Sequence, residues 1–135
     1  MPDNTETTET PPVLEPTLRA IAMPADTNAH GDIFGGWLLC QMDLAGGSAA
    51  ARHAGGRTVT VAITGMVFHR PVKVGDEVTC YCDVERIGNT SITMRIESWV
   101  RRGIGRTPIK VTEGTFTYVA IDVHGRPKPI GQPTA

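Results

Sequence analysis

The segment from Trp37 to about His53, "WLLCQMDLAGGSAAARH", is predicted to form a helix with almost no polar face. A helix that is apolar on every side is a buried one, so this helix must lie at the centre of the core. Within it, Gly46 and Gly47 each cost roughly 1 kcal/mol relative to alanine. Their presence predicts that another stretch of backbone approaches the helix closely at this point.

The apolar period changes from about 3.6 to 2 after the helix. Four long runs then alternate: "TVTVAIT" with Val59, Val61 and Ile63 as its apolar set, "EVTCYCDVERIG", "TSITMRIESWVRR" and "IKVTEGTFTYVAID". A short strand, "LRAIAMP", precedes the helix. The order predicts an α+β hotdog fold, in which an antiparallel β-sheet wraps around one long central α-helix. An α+β sandwich with a solvent-exposed outer face is the alternative.

Length and composition fit one domain, since a chain of 135 residues can bury a sizeable core without disulfides. The polar ends are predicted to be tails, which leaves residues 1–12 as a disordered N-terminal tail, 13–125 as the domain and 126–135 as the C-terminal tail. The edges and the outer face of the sheet need cover, and a dimer that joins two sheets would supply it.

Charge and cysteine usage exclude several classes of protein. With 13 basic and 14 acidic side chains, the chain lacks the concentrated positive charge of a nucleic-acid-binding protein. Three cysteines, no secretory signal and no apolar run of membrane-spanning length favour a reducing, cytoplasmic setting.

Asp43 is the one carboxylate in the apolar helix, and no basic residue lies three or four positions from it. Three interpretations are open. The acid could lie on an exposed stripe, as most aspartates do. It could also be buried against a partner from another element, or meet water in a cleft and act as a base.

The segment "GDIFGG" directly precedes the helix. It would present the backbone N–H groups of Gly35, Gly36 and Trp37 at the helix N-terminus, where unpaired donors and the helix dipole favour an oxyanion or phosphate. An ordinary N-cap by Asp32 or the glycines is the plainer interpretation.

Histidines and cysteines do not suggest a metal site. No histidine pair has ligand spacing, and the four are scattered at His30, His53, His69 and His124. Cys80 and Cys82 share one face of a strand and are expected in the core. His30, in the loop near the glycines, is either a loop residue or a general base.

Basic residues cluster at two turns of the predicted sheet. The segment "FHRPVKVGD" contributes Arg70 and Lys73, and the other hairpin contributes Arg101, Arg102, Arg106 and Lys110. They are either solvated charges or a set that could hold phosphates.

Two long segments, "AMPADTNAHGDIFGGWLLCQMD" and "FHRPVKVGDEV", closely resemble the YciA-type acyl-CoA thioesterases, which are bacterial hotdog-fold hydrolases. The resemblance runs through residues 18–123 in one register. It implies hydrolysis of acyl-CoA thioesters to a free acid and CoA, without a metal or prosthetic group. It also implies a homodimer as the active unit, assembled as a trimer of dimers, with active sites at the dimer interface.

The resemblance also assigns roles to particular residues. The family's catalytic acid corresponds to Asp43, and the backbone that polarises the thioester carbonyl corresponds to Gly35 and Gly36. Asp32 occupies the position of an asparagine in related animal enzymes, and Asn28 lies near enough to contribute. The sequence departs from the family motif at His30, where asparagine is usual.

These roles fit the chemistry of thioester hydrolysis. Asp43 would act as a general base or as a nucleophile, and the helix N-terminus would stabilise the oxyanion. Because Gly35 and Asp43 are roughly 11 to 12 Å apart along one helix, we predict that each works with the partner subunit. An extended pantetheine would pair with the strand backbone, and the residues predicted for this are Thr64, Gly65, Met66 and Phe68.

Two other functions share the fold. A hotdog hydratase or dehydratase would use a histidine with an acid, and His30 would have to supply it. A non-catalytic acyl-CoA-binding module would need no acid in the cleft. Assaying both reactions in a His30→Ala variant separates the first from a thioesterase. An acyl-CoA panel on the wild type and an Asp43→Ala variant separates the second.

Overall fold

The computed structural model describes residues 9–105 and 107–131. Arg106 and the outer parts of the two predicted tails, residues 1–8 and 132–135, lie outside the described residues. The elements run in the order β1 (Leu18–Ile21), a 3-10 turn (Pro24–Asp26), α1 (Gly35–Ala54), β2 (Thr58–Phe68), β3 (Glu77–Ile87), β4 (Ser91–Arg101) and β5 (Ile109–Ala120).

The predicted helix is confirmed and begins two residues earlier than expected. Gly55, with φ +69°, ends α1 and donates its N–H to the carbonyl of Ala51. Glycine adopts this left-handed conformation without a steric cost. The helix packs on the sheet through residues with little or no exposure: Leu38, Met42, Ala45, Gly46, Ala49 and Ala50.

The composition predicts a helix buried on every side, and this prediction is wrong, because one side of α1 is exposed. Cys40, Leu44 and Ser48, spaced four residues apart, form an exposed stripe, and Leu44 is 57% exposed. An apolar side chain on such a stripe exposes surface that a second protein surface could cover.

All five strands form one antiparallel sheet in the order β1-β3-β4-β5-β2. On its helix side, strands β3, β4 and β5 contribute fully buried residues that include Val78, Ile92, Met94, Ile96 and Phe116. The predicted antiparallel sheet around one helix is confirmed.

The expected alternation of β2 is wrong. A β-bulge between Thr60 and Ala62 shifts the register, so that Val59 pairs with Val119 while Ile63 pairs with Phe116 of the core. A bulge adds one residue to one strand and so exchanges the faces of the residues beyond it. As a result, the side chain of Thr60 rather than those of its valine neighbours reaches the helix.

The expected close approach of backbone at the helix glycines is also wrong. A Cβ atom added to Gly46 would collide with the Tyr118 hydroxyl and lie 2.6 Å from Ile96 Cδ1. Gly46 therefore makes room for side chains from the sheet. At Gly47 an added Cβ would meet only Tyr118 Cε1, at 3.9 Å.

Beyond β5 the chain folds back on the sheet. Ile121 forms a β-bridge with Pro127, and the backbone N–H groups of Lys128 and Ile130 donate to the carbonyls of Ala120 and Asn89. The domain bounds stay a prediction. No helix formed by the described residues has the length and apolarity needed to cross a membrane.

Candidate active site

Asp43 lies midway along α1, half-buried, and lines an open cleft of about 400 Å³. Its Oδ1 atom accepts two hydrogen bonds, one from Thr60 Oγ1 at 2.7 Å and one from the Tyr118 hydroxyl at 3.0 Å. We call this space the Asp43 cleft; its lining consists of Asp43, Leu44, Gly47, Ser48, Ala51, Arg57, Thr58, Thr60 and Tyr118.

Tyr118 is 1% exposed and lies on the helix side of β5. Burial, followed by the negative charge of Asp43 and the hydrogen bond to it, holds the pKa of Tyr118 well above its ordinary value. The phenol therefore stays protonated and donates its hydrogen to the carboxylate.

The helix N-terminus has two backbone donors to spare. The N–H of Trp37 donates to the carbonyl of Phe34, so this group is not available to a ligand as the sequence had suggested. Phe34 is the N-cap residue and makes no side-chain cap. Within the described part of the chain, the N–H groups of Gly35 and Gly36 have no acceptor.

The loop before the helix is held by Asn28. Its Oδ1 atom accepts hydrogen bonds from the backbone N–H groups of His30 and Asp32, at 2.9 and 3.1 Å. The Asp32 side chain does not cap the helix, because its Oδ1 lies 3.4 Å from Lys73 Nζ. His30 is exposed.

Gly35 lies in a second cleft of about 230 Å³, which we call the glycine cleft. Its lining shares no residue with the Asp43 cleft and consists of Ile33, Phe34, Gly35, Leu38, Phe68, Arg70, Pro71 and Val72. The carboxylate and the spare N–H groups therefore lie in separate parts of one protomer.

Comparison with known proteins places this arrangement in a family. The family model of the thioesterase superfamily matches residues 30–104. This range includes the glycine loop, Asp43 and α1, which contributes residues to both clefts. The chain belongs to the thioesterase superfamily.

Known members of the superfamily are similar to this chain over nearly the whole length of the chain. It is 51% identical over 128 residues to the acyl-CoA thioester hydrolase YciA of Salmonella typhimurium, covering 92% of this chain and 96% of that protein. The hexameric thioesterase y2039 of Yersinia pestis is 50% identical with a TM-score of 0.85, covering 90% of this chain and 98% of that one. An acyl-CoA hydrolase of Staphylococcus aureus, solved with butyryl-CoA and CoA, is 27% identical with a TM-score of 0.78, over 84% of this chain and 69% of that one.

Of the predicted phosphate-binding residues in this superfamily member, Arg70 lines the same cleft as Gly35. Its Nη1 donates to the Lys110 carbonyl at 2.6 Å and lies 3.3 Å from Glu9 Oε1, and its side chain lines the glycine cleft. Lys73 lies beside it along the chain and faces Asp32. Both remain predictions for anion binding.

Arg101 and Arg102 line neither of the two clefts. Arg102 donates to both carboxylate oxygens of the buried Asp76, each at 2.9 Å, so its charge is used within the fold. Arg101 pairs with Glu77 at 3.1 Å on the face of the sheet away from the helix. Binding of CoA phosphates by Arg101 and Arg102 stays a prediction, and Arg106 lies outside the described residues.

The strand segment predicted to pair with pantetheine is the far end of β2. Among the described strands, β2 pairs only with β5, so its other edge has free backbone groups. A second bulge lies between Thr64 and Val67, with Gly65 at φ +63°. Met66 packs against Gly114, and Phe68 lies next to Gly35. Pantetheine binding here stays a prediction.

Several residues of the Asp43 cleft had not been singled out from the sequence, among them Thr60, Tyr118 and Arg57. For Tyr118 a signal existed, because an inward-facing tyrosine needs a partner for its hydroxyl and Asp43 is the one acid on the helix. The sequence did not single out Thr60, because regular alternation along β2 predicts that the valines rather than Thr60 face the helix. Among the described residues, no three His, Cys, Asp or Glu side chains cluster as metal ligands would.

Proposed function

We propose that this chain hydrolyses acyl-CoA thioesters to a carboxylic acid and CoA, with Asp43 as the acid that activates water or attacks directly. The observation that carries the proposal is the fixed carboxylate: Thr60 and Tyr118 hold Oδ1 of Asp43, and Asp43 lines a cleft. Its supporting context is a superfamily in which similar proteins are acyl-CoA thioester hydrolases.

In the general-base route, Asp43 removes a proton from water as the water oxygen attacks the thioester carbonyl. The carbonyl oxygen gains negative charge, and the C–S bond then breaks to release CoA thiolate, which takes up a proton. In the nucleophilic route, the carboxylate attacks first, CoA leaves, and water opens the resulting anhydride. Both routes need donors for the oxyanion, and the N–H groups of Gly35 and Gly36 are the candidates.

We propose that these donors come from the partner subunit. Eight residues of one helix separate Gly35 from Asp43, which is about 12 Å at the rise of an α-helix. The two clefts of a protomer share no lining residue. Exposed apolar side chains surround the Asp43 side of the molecule, including Leu44 at 57% and Val61 at 55% exposure. A homodimer would cover them, and we propose that three such dimers assemble; a relative from Yersinia pestis is also hexameric.

The hydratase alternative gains no support from the helix. Its one histidine, His53, lies in the last turn, ten residues from Asp43, and His30 lies in the exposed loop. The free thiols of Cys40, Cys80 and Cys82 are what supports a reducing, cytoplasmic setting. We expect dialysis against a chelator to leave kcat unchanged, because the proposed steps use only water and groups of the chain.

The test is an acyl-CoA hydrolysis assay on a panel of chain lengths, with the wild type and Asp43→Ala. We expect turnover by the wild type and a loss of at least about a thousandfold in kcat in the variant, because its base is removed. Full activity of the variant, or CoA binding without turnover by the wild type, would overturn the proposal.

Mixed dimers test the sharing of sites. Gly36→Pro removes one N–H group from the first helical turn, where proline is tolerated. We expect Asp43→Ala and Gly36→Pro chains to be nearly inactive alone and to regain activity when refolded together. No recovery in verified mixed dimers would place both groups of a site in one chain.

A further inference from the structure

We propose that Tyr118 is a positioning residue that fixes the rotation of the Asp43 carboxylate, so that one oxygen is anchored and the other is left for the reaction. This rests on the proposed function of Asp43 and adds to it a residue that lies 75 positions away in the chain.

The hydrogen bonds to the Asp43 carboxylate are one-sided. The Tyr118 hydroxyl and Thr60 Oγ1 both donate to Oδ1, at 3.0 and 2.7 Å. Within the described residues, no group donates to Oδ2. A carboxylate bound in this way cannot exchange its two oxygens without breaking both bonds, so Oδ2 is presented in one orientation.

The hydroxyl of Tyr118 is itself held in place. Its ring lies stacked on Phe116, with the centroids 6.4 Å apart and an angle of 11° between the planes. Its backbone is paired on both sides, with Ile92 of β4 and Thr60 of β2. The absence of a side chain at Gly46 leaves room for the hydroxyl against the helix. Tyr118 is therefore a rigid donor on the sheet aimed at an acceptor on the helix.

The two donors differ in exposure, which separates their roles. Thr60 is exposed on an edge strand, where water or substrate can compete for its hydroxyl. Tyr118 is 1% exposed, and the pKa of its phenol is raised by burial and by Asp43, so it stays a donor across the working pH range. Preorganised donors of this kind contribute to catalysis because they need not reorient during the reaction.

The experiment is Tyr118→Phe, which keeps the ring and removes only the hydroxyl. The chain offers a matched control in its other tyrosine, Tyr81→Phe, on the sheet face away from the helix. We expect kcat to fall about tenfold in Tyr118→Phe, the size associated with one hydrogen bond to a charged group, with KM within about twofold of the wild type. Tyr81→Phe should retain both constants.

A merely structural role is excluded by two further measurements. Thermal unfolding and far-ultraviolet circular dichroism report whether Tyr118→Phe is folded at the assay temperature. In an Asp43→Asn background, adding Tyr118→Phe should leave the residual rate unchanged, because no carboxylate remains to be positioned.

The outcomes separate this proposal from the proposed function. If Asp43→Asn abolishes turnover but Tyr118→Phe retains the wild-type kcat, only the positioning role is overturned. A loss in Tyr118→Phe that recurs in the Asp43→Asn background, or that tracks a fall in the folded fraction, also overturns it. If the wild type has no turnover, or Asp43→Asn retains it, both proposals fail.

Discussion

Strands β2 and β4 have the same length, eleven residues each, but differ in pairing and in burial within the same sheet. From Ser91 to Ser98, β4 alternates strictly between half-buried and fully buried residues, and it pairs with a strand on both sides. Strand β2 has two bulges, pairs only with β5 among the described strands, and is exposed along nearly its whole length. The regularly paired strand β4 contributes buried residues to the core, whereas the irregularly paired strand β2 contributes Thr60 to the candidate site.

The bulge at Thr60–Ala62 connects the two properties of β2. It turns the Thr60 hydroxyl toward Asp43 and leaves the apolar side chains of Val59 and Val61 exposed. Exposed apolar side chains on an unpaired edge are a hazard in a monomer unless another chain covers them. The same bulge therefore provides a hydrogen-bond donor to the Asp43 carboxylate and an apolar surface that a partner chain could cover.

Among the changes that test this comparison of the two strands, the first disrupts assembly by placing a charge on the exposed side of β2. Val61→Asp places a charge where the proposed dimer would bury a valine that is 55% exposed in the protomer. We expect dissociation and a loss of at least about tenfold in activity, because burying an unpaired charge is costly. Sedimentation and the assay, both run over a range of protein concentrations, measure this.

Val61→Thr is the matched control, since it keeps the shape of the side chain and a strand-forming residue without adding a charge. It should remain assembled and active. A monomeric Val61→Asp protein with wild-type activity would show that the site is complete within one chain.

The next effect is expected on β4 and concerns stability instead of assembly. Ile96 is fully buried against the helix, so Ile96→Ala should lower the free energy of unfolding by about 2–5 kcal/mol. Ile87→Ala removes the same atoms at a position that is 50% exposed and should change it by about 0.5 kcal/mol or less. Urea denaturation compares the pair, and equal losses would contradict the core assigned to β4.

How far the sequence predicts this molecule follows from the same comparison. The alternation of Ile92, Met94 and Ile96 and the helical pattern around Asp43 are regular, so element types, faces and the central helix could be predicted. The bulge in β2 could not, because it carries no distinctive residue and exchanges the faces of a strand that reads as regular. The contact of Thr60 with Asp43 depends on that three-dimensional register.

The predicted site residues divide along similar lines. Asp43 and the glycines could be singled out as candidates because an acid in an apolar helix and glycines at its start are unusual in local sequence. The basic residues were grouped by charge alone, and charge does not reveal a buried partner. Arg102 is the example, because it donates two hydrogen bonds to the buried Asp76, which lies 26 positions away in the chain.

A smaller effect, with opposite signs at adjacent residues, is expected from the helix glycines. Gly46→Ala would push against the Tyr118 hydroxyl and Ile96, an overpacking that costs about 1–3 kcal/mol. Gly47→Ala meets only an ordinary contact and gains up to about 1 kcal/mol of helix propensity. Thermal unfolding of the two variants should shift in opposite directions. Stabilisation by both would mean that Tyr118 does not lie against Gly46.

The last effect depends on pH and concerns the thiol of Cys80, which lies on β3 beside Ser98 of β4. Burial, with a smaller contribution from Cys82, raises the pKa of Cys80 from about 9 to about 11, against the opposing hydrogen bond to Ser98. In the unfolded chain the thiol ionises near pH 9, and in the folded chain it stays protonated to about pH 11. Stability is therefore unaffected below pH 9 and falls as the pH rises between these values, by up to about 1.4 kcal/mol per pH unit.

Unfolding measured from pH 8 to pH 10.5 in the wild type and in Cys80→Ala tests this contribution. The variant should be less stable at every pH, because it loses buried volume, but its stability should fall less steeply above pH 9. The slope is thus the diagnostic quantity and the level is not. Equal slopes in the two proteins would show that the Cys80 thiol ionises as readily in the folded chain as in the unfolded one, which a thiol sealed between β3 and β4 cannot do.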